Sequence, residues 1–408
     1  MAKAHFKLEC PQKYLGVKGT VLFIILADMF IPLSTDMYLP ALPTMSEHLN
    51  TTAALVNITV TAFFLSYALG MLFWGPLSDK YGRRRMLAIG FGVYLAASAL
   101  CAIAPNVEIL IMARILHGIG AASVTAISMA IVKDCFSGRI REQVLAIVQT
   151  LSGIGPIIAP VIGGWLLLIT DWRGVFEVLL IFGIIGFVLT LLFEESLPTA
   201  QRYDGSFWRA FGQLAVVLKN KSFFWVTLIF ALYMLPFYAY IVLSSYIYVN
   251  GFGTTEQQYS YFYAAAALVA MAAPYLYIRF LADVNKKRFI EVCFLLCLLS
   301  GLAIVSIGQV SPWLFCLAFL VFFFIGNLFR PLSTNIILEQ QEHDIGSASS
   351  VMNMSFNLFG CLGMLLGSLP MHNPIWLLGG AVILCSLLEI LLWVWLMRSH
   401  LTVTGLER

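Results

Sequence analysis

Charge is what this sequence lacks. Only 11% of its 408 residues are Asp, Glu, Lys or Arg, and 60% are hydrophobic, whereas soluble domains carry about 25% charge. With a mean hydropathy of +0.89, the chain has too little polar surface to face water, and a bilayer is the expected solvent. The formal net charge of +3 points away from nucleic acid, and no basic cluster interleaves with aromatics. Histidine is scarce as well. The six residues (5, 48, 117, 343, 372 and 400) are scattered, so no metal site is expected and an enzyme acting on lipid lacks its constellation. There is no G-x-x-x-x-G-K-[ST] loop, which excludes direct use of ATP. The eight cysteines fall mostly within apolar runs and are expected to be buried reduced thiols. Cys293 and Cys297 share a helical face, without a second pair to complete a metal set. The basic leader MAKAHFKLECPQKYLGVKGT is followed by no small-residue cleavage site, so it is read as uncleaved and cytoplasmic. No cofactor is expected.

What the chain has in abundance is apolar length. About twelve runs reach spanning length: 20–43, 52–76, 86–104, 108–132, 145–169, 174–193, 222–243, 259–281, 289–309, 312–334, 347–369 and 374–397. Lys80, Arg83, Arg84, Arg85, Lys133, Arg139, Arg141, Arg202, Arg209, Lys219, Lys221 and Lys286 to Arg288 collect on one side with the leader lysines, and the opposite loops hold only Arg173. This asymmetry puts both termini in the cytoplasm. The polar segment 194–221 contains a short amphipathic pattern (Phe207, Trp208, Phe211, Leu214, Val217, Leu218), read as a helix along the membrane face. It separates six spans in 1–193 from six in 222–408. RFLADVNKKR (279–288) faintly repeats GPLSDKYGRRR (75–85), as expected of two related halves.

Three motifs stand out. In GPLSDKYGRRR, Gly75 and Gly82 are read as permitting a tight turn between helices. Asp79 is placed to meet a helix N-terminus, and the arginines to reach a carboxylate such as Asp134. In ILIMARILHGIGAA, Arg114 sits inside the fourth span, either facing a cavity with a partner or snorkelling to the interface. His117 beside it is either a titrating relay or a packing histidine. LSGIGPIIAPVIGG places Gly155, Pro156, Gly163 and Gly164 in the fifth span, where small residues allow close helix approach and prolines bend the helix.

The first motif resembles the major facilitator superfamily signature G-x-L-x-D-x-x-G-R-[RK], matched by Gly75, Leu77, Asp79, Gly82, Arg83 and Arg84. Arg114, Gly118 and Gly120 resemble that superfamily's fourth-helix pattern, and Gly155, Pro156, Gly163 and Gly164 its antiporter motif, which is associated with export. The last two glycines sit further along than in the shortest form of that motif. STDMYLPALP (34–43) and HDIGSASSVMNMSFNLFG (343–360) are similar to the bicyclomycin-resistance and phenicol-exporter branch of the drug:proton antiporters.

Two acids occupy the first span, Asp28 and Asp36. Eight helical residues correspond to about 80° in azimuth and about 12 Å along the axis, so both can face one cavity at two depths, with Pro32 bending the helix between them. Asp28 has the stronger case for burial. For Asp36, a solvated acid at the span's outer end is the competing reading, because Pro40 and Pro43 follow. Arg330 before Pro331 either pairs or snorkels, and Glu389 in the last span is left open. Phe63, Tyr67, Tyr233 and Phe237 are candidate cavity aromatics, with Arg330 beside them.

The resemblance implies an all-α membrane protein of twelve spanning helices in two pseudo-symmetric six-helix bundles. It is expected to be no enzyme but a monomeric exporter of lipophilic, cationic or phenicol-like drugs across the bacterial inner membrane, coupled to protons by alternating access. The expected coupling residues are Asp28, Asp36 and Arg114. The expected latch is Gly75, Asp79, Gly82, Arg83, Arg84 and Asp134. Proton-coupled nutrient uptake is the competing reading.

Overall fold

A computed structural model of the chain describes residues 8–202, 217–281, 284–341, 345–369 and 373–406. The expected amphipathic helix after residue 194 falls largely outside the described residues, as does Asp283 of the faint repeat. Among the described residues, eleven helices are long and apolar enough to cross a membrane, and Gly155–Leu166 is a shorter apolar helix. The helices are α1 (Gly16–Asp36), α2 (Leu42–His48), α3 (Ala53–Tyr81), α4 (Arg83–Ala102), α5 (Val107–Cys135), α6 (Gly138–Ser152), α7 (Gly155–Leu166) and α8 (Trp172–Leu192), then α9 (Lys221–Leu232), α10 (Met234–Ser245), α11 (Glu256–Leu276), α12 (Lys286–Ser306), α13 (Pro312–Glu339), α14 (Ile345–Gly367) and α15 (Pro374–Arg398).

Helix starts follow short polar caps placed between the apolar runs. Asn106, Asp171, Asn220, Asn285, Ser311 and Asn373 each accept a backbone N–H of the first turn, and Thr255 with Gln258 closes a reciprocal capping box. The fifth expected span is split. Pro156 has no N–H and its ring conflicts with a helical carbonyl four residues earlier, so α6 ends at Ser152 and α7 restarts with the proline in its first turn.

The chain forms two compact units. One comprises Met1–Ala41, Glu47–Thr51 and Ala62–Phe207; the other comprises Leu42–Ser46, Thr52–Thr61 and Trp208–Arg408. In the first unit α4 packs on α5 and α8, and α1 packs on α5, α6, α7 and α8. A Cβ at Gly70 would meet Ala122 at 2.7 Å, and one at Gly118 would run into Ser66 and the Phe63 carbonyl, so α3 and α5 approach at van der Waals distance. In the second unit α15 packs on α12, α9 and α10, α14 packs on α10, and α13 packs on α11 and α12.

The cysteine expectation needs correction. Cys101, Cys293, Cys297, Cys361 and Cys385 are buried free thiols, and Cys316 is a half-buried one, but Cys10 and Cys135 form a disulfide with Cα atoms 5.0 Å apart. Neither half-cystine lies within an apolar run. Cys135 closes α5, and the leader passes over that end, where Glu9 N donates to Cys135 O at 2.9 Å and Ser137 Oγ donates to Glu9 Oε1 at 2.5 Å. Gln12 continues the strap by exchanging two hydrogen bonds of 2.9 Å with the backbone of Glu194.

Candidate functional site

Asp36 is the last residue of α1, and the chain then turns through a 3-10 segment, Leu39–Ala41, into α2. Its side chain is buried, with 6% exposure, and accepts from Thr35 Oγ1 at 3.0 Å. The reading of Asp36 as a solvated acid therefore gives way to a buried one. Asp28, for which burial was expected, is only half-buried. Neighbouring helices, rather than depth along the first span, decide which acid is enclosed. Both acids have interaction partners.

The fifth-span glycines bring α7 against the end of α1, on either side of Asp36 in sequence. A Cβ at Gly155 would meet Pro32 Cγ at 2.5 Å, and one at Gly163 would strike the Met37 carbonyl. α7 thus touches α1 four residues before Asp36 and one residue after it, at points where only glycine fits. Gly164 is buried on the same helix, and Pro156 is half-buried at its start. The glycine–proline motif holds the end of α1.

Arg114 is fully enclosed, with 0% exposure, so the snorkelling alternative does not apply. Its Nη1 donates to Ser34 O at 3.1 Å, two residues before Asp36, and to His117 Nδ1 at 2.9 Å. The guanidinium carbon lies 4.3 Å from the Phe63 ring centroid, 5.1 Å from Tyr38 and 5.7 Å from Phe176. A desolvated cation over aromatic faces gains about 2 kcal/mol or more, which offsets part of its lost hydration. Because a guanidinium only donates, His117 Nδ1 must accept, and Nε2–H then donates to Ser98 Oγ at 3.1 Å. Ser98 Oγ in turn donates to Tyr94 O at 2.9 Å, while the Tyr94 hydroxyl and Ser34 Oγ share a bond of 2.7 Å. His117 is accordingly a satisfied packing residue in this arrangement. The network joins α1, α4 and α5 through Ser34, Tyr94, Ser98, Arg114 and His117. Sequence reasoning missed Ser34, Tyr94 and Ser98. The signal available was the spacing of Tyr94 and Ser98 by four on an otherwise apolar helix.

At the arginine-rich end of the first unit, Arg83 is almost fully buried. It reaches Asp79 Oδ1 at 2.6 Å, Asp134 Oδ2 at 2.9 Å and Ser78 Oγ at 2.7 Å. Gly82 has φ +97°, a conformation that favours glycine. Gly75 needs correction, because it lies inside α3, which continues to Tyr81. One residue suffices for the turn, and Gly82 supplies it. Asp79 does not meet a helix N-terminus either: its side chain is 48% exposed and pairs with Arg83. The N–H groups that open α4, those of Arg83 and Arg84, donate to Glu195 at 2.8 and 3.2 Å. Arg84 Nη2 donates to Leu191 O at 2.6 Å, Ser196 Oγ donates to Asp134 at 3.1 Å, and Arg202 lies 3.8 Å from Glu195. Glu195 and Ser196 escaped the sequence reading because they read as an ordinary polar linker.

Of the candidate aromatics, Phe63 lies under Arg114 and stacks on Tyr67 with centroids 6.3 Å apart. In the second unit, Tyr233 donates to Phe322 O at 3.2 Å and stacks on that ring, and Phe237 stacks on Phe323 at 5.1 Å. Arg330 is exposed and forms no salt bridge among the described residues. No group of three or more metal-ligating side chains occurs among the described residues.

The chain is similar to known proteins in sequence and in fold. The chain is 24% identical over 388 residues to a bicyclomycin resistance protein homolog of Haemophilus influenzae, covering 91% of this chain and 96% of that one. It is 26% identical over 370 residues to a chloramphenicol resistance protein of Pseudomonas aeruginosa, covering 88% of this chain and 86% of that one. A crystal structure of a D-xylose–proton symporter superposes with TM-score 0.73 at 14% identity, over 94% of this chain and 98% of that one, a likeness of fold alone. The family model described as Major Facilitator Superfamily matches residues 24–364. With Asp79 of the signature paired to Arg83 beside the Gly82 turn, and that match spanning most of its length, this multi-pass membrane protein belongs to the major facilitator superfamily.

Proposed function

We propose that the protein is a proton-coupled efflux antiporter of the bacterial inner membrane, with both termini in the cytoplasm. It exports lipophilic, cationic or phenicol-like drugs by alternating access and works as a monomer. The observation that carries this reading is the buried Asp36 at the break that ends α1, with Gly155 against the Pro32 ring, Gly163 against the Met37 carbonyl and Arg114 bonded two residues away. A buried acid beside a helix break exchanges its proton when the break moves. When ionised it offers a counter-charge, and when neutral it offers only a hydrogen bond, so proton and drug compete. The relatives named for bicyclomycin and chloramphenicol resistance support drug export as the direction.

In this reading Asp36 and Asp28 titrate, and Arg114 fixes the charge felt at the end of α1. Asp79, Arg83 and Asp134, with the Gly82 turn and Arg84, latch the cytoplasmic end. Phe63, Tyr67, Tyr233, Phe237 and Arg330 are the proposed substrate contacts. The test is chloramphenicol flux in proteoliposomes under an imposed proton gradient. Accumulation driven by a gradient in the antiport sense supports the reading; accumulation only in the symport sense replaces it with uptake.

A further inference from the structure

We propose that Glu389 is a second proton-holding site, lying wholly within the second unit: a carboxylic acid whose exchangeable proton adds to that of Asp36. The idea that this proton joins the transport cycle rests on the antiport reading; its presence does not.

Glu389 is on α15 and has 1% exposure. Its Oε1 has no hydrogen-bond partner among the described residues, and neither has Nε1 of Trp393. The two lie four residues apart, on one face of the helix. That face is closed by rings: Trp393 lies 6.1 Å from both Phe230 and Phe294. Thr227 Oγ1 on α9, also buried, is a third polar atom without a partner. Close packing holds α15 in place here, since a Cβ at Gly301 of α12 would meet Ile383 at 2.8 Å.

Titratable groups facing Glu389 are Tyr233, Cys297 and, on its own helix, Cys385. None of them supplies a positive charge. Arg330 of α13 acts on Tyr233, but it is exposed, and Glu389 forms no salt bridge among the described residues. A lone carboxylate in such surroundings forfeits its hydration with nothing in return, whereas the neutral acid gives up far less. Buried acids of this kind, in a membrane protein, mark proton routes. The reaction is simple exchange: Glu389 O–H releases a proton to water when its pocket opens and recovers one before it closes.

The experiment is infrared difference spectroscopy of the full chain in lipid vesicles, in H₂O and D₂O, comparing wild type, Glu389→Gln and Trp393→Phe. The wild type is expected to show a carboxylic-acid carbonyl band near neutral pH. That band should shift in D₂O, be absent from Glu389→Gln and be altered by Trp393→Phe. Since an amide mimics a neutral acid, Glu389→Gln should fold and melt like the wild type. An unfolded Glu389→Gln protein, or a spectrum that variant leaves unchanged, overturns the proposal. A parallel vesicle assay then reads protons moved per chloramphenicol exported, which should fall in Glu389→Gln while drug exchange persists. If the wild type moves no protons with drug, the antiport reading fails while the infrared result still decides the state of Glu389.

Discussion

At the scale of residues, an ion pair, a glycine and a buried cation carry distinct consequences. Arg83 bridges Asp79 and Asp134 from an almost buried position. Asp134→Asn removes the more buried of its two partners while Asp79 still holds the guanidinium, and is expected to cost about 1–3 kcal/mol. Asp79→Asn should cost less, because that carboxylate is half in water. Thermal melting of the two variants in detergent ranks them; equal losses would contradict the burial argument. Gly82 stands at φ 97°, ψ 148°, and its Cβ would meet Glu195 at 2.5 Å. Gly82→Ala is therefore expected to lose roughly 1–3 kcal/mol, against little for Gly75→Ala, which has open space around it. If Gly75→Ala proves the more damaging change, the placement of the turn is wrong. Arg114 bonds to the α1 backbone and lies over three rings. Lysine lacks the planar fork and should not replace it.

At the scale of elements, the contact between α1 and α7 matters most. Gly163→Ala would push against the Met37 carbonyl and displace the segment that follows Asp36. The expected result is at least a tenfold loss of coupled transport, with a smaller loss of melting temperature. A variant with full transport would show that α7 does not position Asp36. The leader strap makes a separate prediction. Cys10 and Cys135 close a loop of 125 residues, worth up to about 5 kcal/mol in the chain-entropy view. In oxidised purified protein, reductant should lower the melting temperature, and Cys10→Ser should remove that effect. Under reducing conditions the strap would rely on its bonds at Glu9 and Gln12. No effect of reductant on the wild type would mean the bond contributes nothing.

The elements also show what the sequence could disclose. Apolar runs foretold most helices, because burial in lipid forces long unbroken stretches. The break between α6 and α7 was visible in Gly153, Gly155 and Pro156 yet was read as a single bent span. Relative burial of Asp28 and Asp36 was not legible. It depends on where α7 and α5 press against α1, a tertiary fact carried by Gly163 and Arg114 rather than by depth. Glu195 was illegible for the same reason, since a linker acid becomes a helix cap only once the chain folds back.

For the whole molecule, the fold is shared with a D-xylose–proton symporter, so function must be argued from the site. The proposed proton exchange lies at the end of α1 in the first unit, with a second exchangeable proton proposed at Glu389 in the other. The most direct test of the account's central claim is proton-driven chloramphenicol transport by wild type, Asp36→Asn and Asp28→Asn in proteoliposomes. Asp36→Asn is predicted to abolish accumulation driven by the proton gradient while leaving drug counterflow, and Asp28→Asn to retain a measurable part of it. Full gradient-driven transport by Asp36→Asn would contradict the account.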